Sequence, residues 1–234
     1  KNWGDDLTEQ NAGIYCDFGS KNLTIESNYI SGDTFGIWLQ KSTHGIVANN
    51  TIVGNTSLRS ADRGNAIQLS GVQHMKVTGN KVSKVRDGLY VINSQNNVID
   101  GNHMSELRYG IHYMYSYDNK VINNIAKNTR AGYALMSSRR LTVSNNKTTD
   151  SEDYGFLLNY ITWSTISNNH IENVWTNPDN VALGREGKGL FVYNSGYNTI
   201  SDNLVKKAEI GIHLTAGSEN VKVFGNSFIN NPVQ

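Results

Sequence analysis

The sequence predicts an all-β chain wound as a right-handed parallel β-helix of about nine coils of 22–23 residues. Three observations predict it. The pattern glycine, apolar, any residue, apolar recurs nine times. An asparagine follows each copy 14 or 15 residues later. And 22 glycines against two prolines, with asparagine abundant, suit turns far better than helices.

Taken in order, the coils open with GIYC at Gly13, GIWL at Gly36, AIQL at Ala66, GLYV at Gly88 and GIHY at Gly110. GYAL at Gly132, GFLL at Gly155, GLFV at Gly189 and GIHL at Gly211 complete the series. The trailing asparagines are Asn28, Asn50, Asn80, Asn102, Asn124, Asn146, Asn169, Asn203 and Asn226. A leucine-rich repeat has a similar period, but stretches such as "NNVIDGNHM" and "LTVSNNKTT" alternate with period two and leave no room for a helix. Glycine and asparagine accept left-handed backbone at tight turns, and asparagines stacked from coil to coil can hydrogen-bond in a column. Two intervals are stretched, to 30 and 34 residues, giving expanded turns at 53–65 and 173–188. Residues 1–234 are read as one solenoid domain, expected to be a fragment of a longer one because neither end offers a helix to cap the strand edges.

Composition excludes several classes. A net charge of +1 is unlike a nucleic-acid binder. Apolar runs of only a few residues give no membrane span, and the single Cys16 allows neither an internal disulfide nor a zinc cluster.

Strand alternation turns the repeat into surface columns. The first and third positions after the glycine fill the bore, Cys16 among them. The second points outward: Tyr15, Trp38, Gln68, Tyr90, His112, Ala134, Leu157, Phe191 and His213. The fourth does too, with Met114, Met136 and Tyr193. Met136 stacks over Met114 on the next coil, His112 lies beside Met114, and Ala134 leaves a dent above the imidazole. Two thioethers and an imidazole form a soft set suited to Cu(I) and poor for Ca²⁺ or Mg²⁺. The alternative is that the methionines pack a protein interface with His112 at its rim. His44 and His74, with Met75 adjacent, offer a second, weaker candidate.

Arg86, Arg108 and Arg130 form a column two residues before the glycines, with Asp87, Glu106 and Asp153 as expected counter-charges. A structural charge ladder and a dock for carboxylates are both open readings. The two expanded turns are expected to frame this face, making Tyr90, Arg86, Arg108, Arg130, Leu157, Phe191 and Tyr193 candidate partner-binding residues. An enzyme would need an acid and base set in one groove. Asp17, Asp33, Asp100, Asp118 and Asp150 instead fall in different columns or on distant coils. A uronate polysaccharide lyase, epimerase or binder remains the alternative function.

Longer phrases narrow the reading. "LRYGIHYMYSYDN", "TRAGYALMSSRRLTVSNN", "GFLLNYITWSTI", "GKGLFVYNS" and "EIGIHLTAGSE" resemble the NosD family, β-helical accessory proteins of nitrous oxide reductase maturation, from about Asp87 to Asn226. The resemblance implies a periplasmic, non-catalytic factor that handles copper. It implies as partners the membrane and ATPase subunits of an ABC transporter, a copper chaperone and nitrous oxide reductase, with membrane contact only through them. The residue assignment His112, Met114 and Met136, with copper bound transiently as Cu(I), stands on the column argument.

Overall fold

The computed structural model describes residues 11–177, 186–215 and 217–232. Every strand pairing among them is parallel, and equivalent strands of successive coils stack in register, with a one-residue shift between Thr129 and Ala131 where Ile125–Met136 meets Lys147–Asn159. One sheet takes one strand from each coil, from Lys21–Glu26 to Lys222–Phe224, nine in all among the described residues. The glycine repeats supply the facing sheet. Its strands include Asp87–Ile92, His103–Met114, Ile125–Met136, Lys147–Asn159 and Lys188–Tyr193. The architecture is therefore the parallel β-helix read from the repeat. Among the described residues no helix is long and apolar enough to cross a membrane.

The bore is filled as alternation requires. Ile111, Tyr113, Tyr133, Leu135, Phe156 and Leu158 have no accessible surface. Tyr133 and Phe156 stack face to face with centroids 4.3 Å apart, and the Tyr133 hydroxyl donates to the Asn124 carbonyl at 2.8 Å. Met104 is also core, 2% exposed. Burying a side chain of this size removes roughly 1.5–3 kcal/mol worth of apolar surface from water.

The asparagine column is a continuous ladder. The Asn102 amide nitrogen and its Nδ2 both donate to Asn124 Oδ1 at 2.9 Å. Asn124 repeats the pattern toward Asn146, at 3.0 Å for both bonds. Each Nδ2 also turns back to a backbone carbonyl, as from Asn124 to Ile99 at 3.0 Å. These buried polar groups are thus satisfied, which makes them worth keeping inside. Two further ladders run beside it. Ser94 N donates to Ser116 Oγ and Ser116 N to Ser138 Oγ, while Asn97 donates to Asn119 Oδ1.

Turn glycines such as Gly71, Gly79 and Gly101 carry the expected positive φ, at 67°, 64° and 65°; the repeat glycines serve a different purpose. The repeat glycines do not carry positive φ. A Cβ on Gly88 or Gly110 would sit 2.5 Å from the carbonyl oxygen of the next glycine in the column. They are close-approach glycines. The left-handed position just before a ladder asparagine is taken by Gly79 and Gly101 and by Asn49, Asn123, Asn145 and Asn168. Left-handed Glu106, Asn128 and Asp150, at φ 56°, 52° and 58°, lie inside the three long strands.

The expanded turn at 53–65 contains a short 3₁₀ segment, Ser60–Asp62. Arg63 pins it by donating twice to the Leu58 carbonyl, at 2.6 and 2.9 Å. The centre of the second expanded turn, 178–185, lies outside the described residues. The expectation that the two turns frame one face therefore has only its first half on view, with Ser60 and Arg63 beside Arg86, Arg108 and Arg130 along a groove.

Candidate metal centre

The strand Asp87–Ile92 pairs with His103–Met114 so that Tyr90 aligns with His112 and Ile92 with Met114. His103–Met114 pairs with Ile125–Met136, aligning His112 with Ala134 and Met114 with Met136. The predicted columns thus exist. Parallel pairing separates Met114 and Met136 by about 4.8 Å along the solenoid axis, and both are half-buried.

His112 is more enclosed than an open dent would make it, at 8% exposed. Tyr90 lies across it with ring centroids 4.7 Å apart, Tyr109 meets it edge-on at 5.1 Å, and Ala134 on the next coil has no accessible surface. Its Nδ1 is 3.0 Å from Asp87 Oδ2. Asp87 is in turn gripped by Arg108, whose Nε and Nη2 donate to the two carboxylate oxygens at 2.9 and 2.6 Å. Burial works against the Asp87 charge, but hydrogen bonds from His112 and Arg108 outweigh it and hold the carboxyl below the usual carboxylate range. An ionised acceptor at Nδ1 fixes that nitrogen as the donor, so the lone pair of the neutral ring sits on Nε2. Nε2 is buried and has no hydrogen-bond partner among the described residues. A carboxylate behind an imidazole whose other nitrogen stands bare is the arrangement that orients histidine for a metal.

Tyr90 completes the cluster. Its hydroxyl donates to Met114 Sδ at 3.2 Å, and burial followed by the Asp87 charge raises its pKa, keeping the phenol a donor. Among the described residues no group of three or more His, Cys, Asp and Glu side chains is placed to hold a metal ion. The ligand set on offer is the mixed one of imidazole and thioether. It fits a soft, low-coordinate ion such as Cu(I) and does not fit a hard cation.

The other candidates separate. His44 and His74 do meet, rings stacked at 4.7 Å and 20° from parallel, but parallel rings do not aim two nitrogen lone pairs at one point. Met75 cannot join them: it is 1% exposed and points into the bore. In the arginine column, Arg108 takes Asp87 and Arg130 takes Asp153 at 2.6 Å. Glu106 makes no ion pair among the described residues. Arg86 keeps a buried Nε with no hydrogen-bond partner among them. The expected broad apolar outer face shrinks, because Ala134 and Leu157 are 0% and 8% exposed, and Phe191 packs between Tyr154 at 5.4 Å and His213 at 5.2 Å. Tyr193 stays exposed. Asp87 as the partner of His112, and Tyr90 as the partner of Met114, were not expected. Both reach diagonally from the preceding coil, a direction that column spacing does not encode.

Residues 48–234 match the sequence model of the family described as periplasmic copper-binding protein (NosD). The chain belongs to the NosD family. It is 52% identical, over its whole length, to a protein of Pseudomonas aeruginosa named probable ABC transporter binding protein NosD. It is 47% identical over 99% of its length to one of the same name from Stutzerimonas stutzeri. The chain spans 55% and 54% of these relatives, about half of each. Solved β-helices resemble it in fold alone. The Yersinia enterocolitica family 28 exopolygalacturonase superposes with a TM-score of 0.57 at 11% identity, over 91% of this chain and 46% of that one. The Streptococcus pneumoniae surface adhesin PfbA gives 0.56 at 11%, over 93% and 62%. NosD relatives are named as binding proteins, and fold likeness to a glycan hydrolase carries no activity with it.

Proposed function

We propose that this NosD-family chain is a periplasmic copper carrier that takes Cu(I) on His112 Nε2, Met114 Sδ and Met136 Sδ, with no catalysis of its own. It works with the membrane and ATPase subunits of an ABC transporter, receives the ion from a copper chaperone and supplies it to nitrous oxide reductase. The observation that carries the reading is the buried Nε2 of His112, without a hydrogen-bond partner among the described residues and opposite the Nδ1 held by Asp87, on a strand face where Met114 and Met136 align in register. The family's description as copper-binding and the relatives' naming as ABC transporter binding proteins support it. Copper is the cargo here. Thioethers carry no charge and bind softly, so two of them with one neutral imidazole suit an ion that has to be passed on.

Anaerobic titration with Cu(I) against a competing chelator tests the reading. The parent domain is expected to bind the ion, and the Met114→Leu, Met136→Leu double variant to lose most of that affinity while keeping its fold, since each swap nearly conserves volume. Equal affinity in parent and double variant would move the site elsewhere.

A further inference from the structure

Tyr90 touches both proposed ligands at once. Its ring lies 4.7 Å from that of His112, and its hydroxyl donates to Met114 Sδ at 3.2 Å. Tyr90 aligns with His112, not Met114, in the strand register, so the phenol reaches diagonally across the face to find the sulfur. A thioether is a weak acceptor, and the electron density it offers to a phenol is the density it would give to Cu(I). We infer that Tyr90 is a positioning residue of the copper site: it holds the empty Met114 thioether in place by an O–H···S hydrogen bond, and yields it when Cu(I) arrives.

The inference rests on the proposed copper site and adds a direction to it. Coordination draws electron density out of the sulfur, so the Tyr90 bond that steadies the empty site is weakened in the loaded one. That bond therefore favours release. The proton stays on the phenol throughout; only its acceptor changes, from sulfur to water. Because the aromatic ring also lies over His112, Tyr90→Phe removes the hydroxyl and leaves the ring contact in place.

Two measurements on the purified domain decide it. In competition titrations, Tyr90→Phe is expected to bind Cu(I) more tightly than the parent, by roughly 2- to 10-fold, the net worth of one hydrogen bond. In ¹³C-methyl methionine spectra of the metal-free protein, Tyr90→Phe is expected to move the Met114 methyl signal. The signals of Met75 and Met104, both in the bore, should stay put. Unchanged or weaker Cu(I) binding in Tyr90→Phe, with Met114→Leu still losing affinity, overturns the role of Tyr90 and spares the site. Parent-like binding in Met114→Leu overturns both. An unmoved Met114 methyl in Tyr90→Phe also overturns the role, whatever the affinity.

Discussion

Asp87 shows how one carboxylate can carry structure and site together. It receives hydrogen bonds from Arg108 and the His112 ring, and removing a partner from a buried charge pair costs about 3–5 kcal/mol. Asp87→Asn keeps the shape but offers one acceptor oxygen and an amide that repels the donors. Cu(I) affinity is expected to fall about 10- to 100-fold, as for other supports of a ligating histidine, and chelator competition measures it. The same residue sets an acid limit on stability. Its folded pKa lies below the unfolded value, so its stabilisation is fully present above the ordinary carboxylate range. It is lost as pH falls through the lowered value. The thermal stability of the metal-free parent should therefore fall as pH drops below the ordinary carboxylate pKa of about 4, and Asp87→Asn should show a shallower drop. Of these side chains, His112, Met114 and Met136 were legible in the sequence, because alternation and coil spacing place them. The Nε2 orientation was not, because it depends on where a carboxylate one coil away chooses its partner.

The long strands His103–Met114, Ile125–Met136 and Lys147–Asn159 hold that cluster in register, and their backbones pack closely enough to exclude side chains at the repeat glycine. A Cβ at position 110 would meet the Gly132 carbonyl oxygen at 2.5 Å and Ala126 Cβ at 2.9 Å. Gly110→Ala is expected to cost about 1–3 kcal/mol by overpacking, read by denaturant unfolding. Asn124→Ala should cost more than about 2 kcal/mol, because it leaves buried donors and acceptors on the flanking coils unpaired. Gly-apolar-x-apolar and the trailing asparagine were enough to find these strands and their stacking. The serine ladder through Ser94, Ser116 and Ser138 keeps an even 22-residue spacing, but serine is common in turns and its period alone does not mark it out. Turn glycines such as Gly79 and Gly101 follow from their positive φ, whereas the repeat glycines have ordinary φ, and there it is the neighbouring backbone that forbids a side chain.

Across the whole molecule, parallel stacking makes each coil the template for the next, and ladders and bore run through the site without a break. The regular pattern made this architecture readable, yet alternation overstated the outer apolar face. Leu157, aligned with Ala134 and Phe191 on the neighbouring coils, is 8% exposed within this chain alone. Tyr193 remains as the exposed part of the proposed partner surface. Tyr193→Glu is expected to leave thermal unfolding within about 0.5 kcal/mol of the parent, as for most surface changes, while weakening co-purification with the transporter subunits. Equal recovery of the complex would remove this face from the proposal. The central claim is that soft sulfur and one imidazole hold the ion. X-ray absorption of the domain loaded with one equivalent of Cu(I) under anaerobic conditions tests it most directly. The account predicts a low-coordinate copper with two sulfur scatterers and one imidazole, the sulfur signal lost in the Met114→Leu, Met136→Leu variant. A shell of nitrogen and oxygen alone, the same in parent and variant, would contradict it.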